Sequence, residues 1–214
     1  MHQQSQTNFS IDPNVMVIRP ISGSEGTYTR TELLYSNGKR KTKNVRPLRY
    51  IEMACRYRYN TYTHIKGEVK TLTGITSKPP FFLPDSSPIT FFSSHSDRIQ
   101  ENCWINVDYI RRIEHYKTGK SKVHLHGGQS LIVNVSKYTL LHQYQNGIYL
   151  AYKLLRQEIK AGELVKKYNE TQHEELINIV RDFVHTLRDI RLTLNSEQHY
   201  YHPKIAEDPP FKNY

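Results

Sequence analysis

The dipeptide Asn37-Gly38 narrows most sharply what this chain can become. Tight hairpin turns need backbone angles with positive φ, and Asn followed by Gly adopts them at least cost. The segment before it, Thr27 to Tyr35, alternates and is rich in Thr and Tyr, which suit a pleated, half-buried surface. After it comes Lys39-Arg40-Lys41-Thr42-Lys43. The spacing predicts an antiparallel hairpin whose second strand is a string of positive charge. A second hairpin is expected at Gly127-Gly128, between strands at Lys122 to His126 and Ser130 to Val135.

Other segments extend the β reading. Asn14 to Pro20 places Val15, Val17 and Arg19 on one face, and Glu68 to Thr76 alternates in the same way. Cys103 to Val107 has the apolar run of a buried strand, and Asp108 to Glu114 continues it or forms a short helix. Residues 79–100 hold four prolines and many serines, and read as a long ordered loop tied down by Phe81-Phe82 and Phe91-Phe92. Pro47 can open a helix with Leu48, Ile51, Met53, Ala54 and Cys55 near one side.

Two longer helices follow. Ser136 caps one running to about Lys160, with Leu140, Leu141, Tyr144, Ile148, Ala151, Leu154, Leu155 and Ile159 as its stripe. Gly147 inside it costs about 1 kcal/mol against alanine, which asks for a packing reason. Thr171 and Glu174 form a capping box for the second. There Leu176, Val180, Phe183, Leu187, Ile190 and Leu194 alternate steps of four and three, a heptad seam. That seam either docks on the domain or pairs two chains. The expected fold class is α+β: a mixed, mainly antiparallel β-domain over 14–135 followed by two C-terminal helices over 136–195. Disordered segments are expected at 1–13 and 196–214.

The chain carries 30 basic and 20 acidic residues, a net charge of +10. Such a field attracts polyanions. The excess is concentrated at the start: ten basic residues against four acidic in the first 60. Its densest part is 39–58, with Lys39, Arg40, Lys41, Lys43, Arg46, Arg49, Arg56 and Arg58 against Glu52 alone. Arginine binds phosphate bidentately and enters narrow minor grooves, and Tyr50, Tyr57, Tyr59 and Tyr62 are interleaved with these charges. A solvated basic face remains the alternative.

Catalytic and metal chemistry find little support. Eleven histidines include His115, His124 and His126, but no Cys pair or HExxH pattern accompanies them. His95 and Asp97 sit among Ser93, Ser94 and Ser96, too close in sequence for a triad whose members converge from separate elements. No nucleophile elbow, phosphate loop or dinucleotide fingerprint occurs. No catalytic residue, metal or cofactor is expected. The polar start MHQQSQTNFSIDPN lacks the apolar core of a signal peptide, and no apolar run has the length of a membrane span. A cytoplasmic, nucleoid-associated protein with free Cys55 and Cys103 is the expectation.

Several motifs occur in a specific order: Cys55-Arg56-Tyr57, Gly74-Ile75-Thr76-Ser77-Lys78-Pro79-Pro80, Phe91-Phe92, His95-Ser96-Asp97-Arg98, Trp104-Ile105-Asn106 and Tyr109-Ile110. In these the chain resembles the competence transcription factor family ComK, in its staphylococcal branch, over about residues 15–150. The resemblance implies an activator of DNA-uptake genes that recognises paired AT-rich boxes of double-stranded DNA through the minor groove as a homo-oligomer. It also implies control by an adaptor that delivers the protein to a Clp protease, and contact with RNA polymerase. A fainter likeness, over Trp104 to Leu141, is to LytTR-type DNA-binding domains; it would move DNA contact toward His95 to Arg98 and the turn at 115–122.

The residues expected to contact DNA are Arg40, Lys41, Lys43, Arg46, Arg49, Arg56 and Arg58, with Lys78 and Arg98 on the Pro-rich loop. The residues Leu176, Val180, Phe183, Leu187, Ile190 and Leu194 are the candidates for dimerisation. A module docking an acidic protein through the same basic face is the alternative function, and a phosphodiester-cleaving enzyme is a third.

Overall fold

A computed structural model of the chain describes residues 9–21, 30–84 and 88–160. The described part opens with β1 (Val15–Ile21), β2 (Arg30–Tyr35) and β3 (Arg40–Lys43), then two helices, α1 (Pro47–Tyr57) and α2 (Tyr62–Thr73). Next come β4 (Phe81–Leu83), β5 (Ile89–Ser93) and β6 (Trp104–Asn106). One 3-10 turn, Val107–Tyr109, leads into β7 (Ile110–Lys117), β8 (Lys120–Leu125) and β9 (Ser130–Val133), and α3 (Lys137–Lys160) follows. The strands make two antiparallel sheets, one ordered β3-β2-β1-β6-β5-β4 and one ordered β7-β8-β9. The α+β class read from the sequence is what forms.

β1 lies between β2 and β6, and Ile18 is opposite Leu33 on one side and Trp104 on the other. Side chains alternate across a strand, so these three share a face. With Tyr35, Phe81 and Phe91 they meet Tyr50, Ile51 and Ala54 of α1 and Tyr62, Ile65 and Val69 of α2 in one buried cluster. Phe81 stacks on Phe91 with ring centres 5.3 Å apart, and Tyr62 meets Phe81 edge-on at 5.7 Å. Full burial of each such side chain contributes about 1.5–3 kcal/mol. The neighbouring residue Phe92 points to the opposite face, where its ring centre is 5.6 Å from that of Tyr144 on α3. The large sheet is thus covered by α1 and α2 on one side and α3 on the other.

Local signals set the ends of these elements. Pro47 opens α1, where its missing N–H is no loss. Thr61 caps α2 by accepting from the His64 N–H, and Gly74 closes it at φ 76°. Ser136 caps α3 by accepting from the Thr139 N–H at 3.2 Å. At the first hairpin the Gly38 N–H donates to the Tyr35 carbonyl and the Tyr35 N–H to the Lys39 carbonyl. Only Gly38 of its pair has positive φ, so the connection is a three-residue loop closed by a left-handed glycine.

Four expectations are corrected. Glu68 to Thr76 is not a strand: α2 covers most of it, with Tyr62, Ile65 and Val69 buried at helical spacing. The Pro-rich stretch 79–100 is not all loop, because it contains β4 and β5, every residue of which is buried. The hairpin expected at Gly127-Gly128 forms between β8 and β9, but through three residues, His126, Gly127 and Gly128, rather than two: both glycines have φ 80° and the Leu125 N–H donates to the Gln129 carbonyl. Disorder to residue 13 does not hold for the described residues 9–13: Ile11 is fully buried, and the Tyr50 hydroxyl donates to the Ser10 carbonyl at 3.2 Å. The heptad seam at 176–194 and the tail at 196–214 lie outside the described residues.

Gly147 has the packing reason its position demanded. A Cβ there would stand 2.7 Å from Val107 Cγ1 and 3.2 Å from Phe92 Cβ. Val107 is β-branched and cannot swing aside freely. Gly147→Ala is therefore expected to lower stability by about 1–2 kcal/mol in urea titration, the overpacking cost outweighing the gain in helix propensity; unchanged or higher stability would show that α3 can shift outward. Both cysteines are free and buried. Burial pushes the Cys55 thiol up to about 11 and the Cys103 thiol up to about 12. Both should stay protonated at pH 8 and react with a disulfide reagent only as fast as the protein opens; fast labelling of the native protein would contradict their burial.

Candidate nucleic-acid interface

The structure divides the nine basic residues singled out by the sequence. Arg40 and Lys41 are exposed on β3, the open edge of the large sheet, and Lys43 ends that strand. Arg40 shares the single carboxylate of Glu32 with Arg19, at 3.8 Å and 2.6 Å. Two guanidinium groups on one carboxylate leave positive charge in excess. Lys41 Nζ stands 5.1 Å over the Tyr35 ring, a cation–π arrangement that fixes a flexible side chain along the edge.

Past β3 the chain reaches Arg46, the N-cap residue of α1. There it meets the turn between β5 and β6, across a cavity of about 170 Å³ lined by Arg46, Leu48, Asp97, Arg98, Asn102 and Trp104 among others. Arg46 and Arg98, distant in sequence, thus belong to one place. The turn is built by its own polar side chains. Asn102 Oδ1 accepts the His95 N–H at 2.9 Å, and Ser94 Oγ accepts the Cys103 N–H at 2.9 Å. Lys66 Nζ holds Asp97 at 2.7 Å. Ser94, His95 and Asp97 therefore serve to shape and anchor the turn.

The other candidates lie elsewhere. Arg49 pairs with Glu52 at 3.1 Å. Arg56 is exposed in the last turn of α1, about 15 Å along the helix from Arg46 at 1.5 Å per residue. Arg58 donates to the Ile11 carbonyl at 3.2 Å, so its guanidinium tethers the N-terminal segment to the core. Lys78 stands between α2 and β4 with φ 45°. Arg46 and Arg98 are thus the two that the fold brings together; Lys41 and Lys43 lead to Arg46 along β3, while Arg40 turns to the other face of that edge, beside Glu32, and this run from β3 to the cavity is the basic rim.

A second basic element, outside the nine, contains the turn at 115–122 to which the fainter LytTR likeness pointed. β7 and β8 form a ribbon exposing Arg111, Arg112, Lys117 and Lys120, with Lys122 half-buried. Its one carboxylate, Glu114, pairs with Arg112 at 2.7 Å and with His124 at 2.6 Å. The His124 hydrogen bond holds the Glu114 carboxyl below its usual range. The tip, Lys117–Lys120, turns at Gly119 with φ 71°. His95 Nε2 lies 3.1 Å from the Asn134 carbonyl, and Asn134 Nδ2 donates to Glu101 at 3.0 Å. Asn134 follows the Val133–Ser121 pair, so the ribbon tip lies at the end of the small sheet that abuts the Arg98 turn. A two-stranded ribbon has the width a DNA major groove admits. These charges are spread among apolar residues, so no dense run marked them; a Thr-Gly turn bracketed by two lysines was the available signal.

Among the described residues no group of three His, Cys, Asp or Glu side chains could hold a metal ion. Among them, too, no helix is long and apolar enough to cross a membrane.

No curated protein and no solved structure matches the chain. The family model described as ComK protein matches residues 6–159, which takes in both basic elements, the turn between them, α1, α2 and α3 up to its last residue but one. The chain belongs to the ComK family of competence transcription factors, a family of regulators and not of enzymes.

Proposed function

We propose that this chain is a sequence-selective DNA-binding activator of competence genes that recognises AT-rich promoter boxes through the minor groove as a dimer or higher oligomer. The observation that supports this is the meeting of Arg46 and Arg98 at one cavity, next in the chain to the exposed basic edge strand β3, in a chain of a transcription-factor family. A-tracts have narrow minor grooves of enhanced negative potential that attract arginine. The minor groove distinguishes A·T from G·C but little more, so affinity leans on charge, shape and multiplicity. Two boxes read by linked protomers supply the multiplicity, and the seam from Leu176 to Leu194 is the element in the sequence with the pattern to link them. Adaptor-directed proteolysis and contact with RNA polymerase belong to the same reading.

An electrophoretic shift series on AT-rich and GC-rich duplexes tests it. Preference for the AT-rich duplex is expected, with affinity falling about 10²- to 10³-fold between 50 and 200 mM salt if about five phosphates are neutralised. Equal affinity without a salt slope would sink the DNA reading and leave an acidic protein as the partner of the rim. Leu187→Asp should move the protein to monomer mass in light scattering and weaken binding to two boxes more than to one; an unchanged oligomer mass would take the seam out of the assembly.

A further inference from the structure

The cavity shared by α1 and the β5–β6 turn combines features that folding stability alone does not favour. A helix start is best capped by Ser, Thr, Asp or Asn, and best followed by acids in its first turn. Here the N-cap is Arg46, it makes no side-chain cap hydrogen bond, and the first turn contains no acid. The positive end of the helix dipole is thus joined to a guanidinium instead of being countered. Arg98 lines the same cavity from the other side. Neither arginine is ion-paired with another described residue, while Asp97, the one carboxylate lining the cavity, is already engaged by Lys66 at 2.7 Å.

Independent of the helix, Asn102 supplies a donor. It is 1% exposed and lines the cavity. Its Oδ1 is committed to the turn, accepting from the His95 N–H and the Ser94 hydroxyl. Its Nδ2 is buried beside the cavity and has no hydrogen-bond partner. An unpaired buried amide donor costs about 1–3 kcal/mol, which a bound acceptor would recover. Two free guanidinium groups, an uncapped helix start and an orphan amide donor all ask for the same thing, an anion of about phosphate size.

We propose that this cavity is a phosphate seat, in which Arg46, Arg98, the Leu48 and Arg49 N–H groups of α1 and Asn102 Nδ2 hold one phosphate group. The inference rests on the DNA reading for its preferred source, a backbone phosphate of the duplex. Seating one phosphate here would set the register of the whole basic rim on DNA, since phosphate contacts position a protein and base contacts specify sequence. Free phosphate has the same chemistry and is the other source.

Trp104 lines the cavity and is the only tryptophan in the chain, so its fluorescence reports on the seat. In the full-length protein, excitation selective for tryptophan should reveal a saturable change on titration with inorganic phosphate that sodium chloride of equal ionic strength does not produce. Arg46→Ala/Arg98→Ala should abolish that change and weaken duplex binding about tenfold or more. Lys153→Ala/Arg156→Ala, which removes the same charge from α3 outside the cavity, should keep the phosphate response. Circular dichroism and thermal unfolding confirm that each variant is folded, and Arg98→Glu is a second variant at an exposed position.

Loss of the phosphate response with unchanged duplex affinity would support the seat and assign it to a free anion. A phosphate response in a protein that binds no duplex would likewise keep the seat while the DNA reading fails. Duplex binding that is equal in wild type and the double variant, with no phosphate response in either, would overturn the seat and leave the DNA reading intact.

Discussion

The pairing of β1 on both sides is the constraint on which the rest of the structure depends. Val17 and Ile18 are opposite Leu34 and Leu33 of β2 on one edge and Ile105 and Trp104 of β6 on the other. This is the join between the N-terminal hairpin and the later strands, more than eighty residues away in sequence. The period of a strand is two, so a slip by one residue would turn Ile18 and Trp104 away from α1 and α2 and put Val17 and Ile105 in their place. A bulge between Val15 and Val17 lets the strand recover its register before the Tyr35 pair, and the Asn106 side chain marks the spot by donating to the Val15 carbonyl at 3.2 Å.

That same join assembles the rim. Arg46 follows the hairpin strand β3, whereas Arg98 belongs to the turn that feeds β6. The two meet because β6 pairs with β1. Among the described residues no ion pair joins the two, and their like charges oppose their meeting; the Lys66–Asp97 pair ties the Arg98 turn to α2 instead. The sheet register and the hydrogen bonds of Ser94, His95 and Asn102 hold the turn in place against this repulsion. Positive charges kept close by a rigid scaffold are pre-organised for an anionic partner, which then need not supply the cost of gathering them.

Much of this was legible in the sequence, and the exceptions have local causes. Asn37-Gly38, Pro47 and Ser136 each carry their signal in one or two residues, and each marks the expected element boundary. α2 was hidden because the alternation of Glu68 to Thr76 cuts its 3.6-residue repeat in half. The buried spacing that reveals a helix begins earlier, at Tyr62 and Ile65. β4 and β5 were hidden by prolines, which bound these strands at Pro80, Pro84 and Pro88 rather than break them. The density of charge in 39–58 located all of the rim but Arg98, but which arginines face outward together depends on tertiary pairing. Nothing local to Arg58 reveals that it tethers Ile11, or local to Arg98 that it adjoins Arg46.

The large sheet has two edges, and they are protected by different means. β4 is wholly buried and in contact with α2, but β3 has only Arg40, Lys41 and Lys43 to keep its unpaired backbone from recruiting another strand. Edge charge is the usual defence against such polymerisation. The sequence of β3 is therefore under two demands at once, colloidal as well as functional. Replacing its basic residues with neutral ones would remove the barrier to aggregation together with the attraction for a polyanion, whereas reversing their sign would keep the barrier and remove only the attraction.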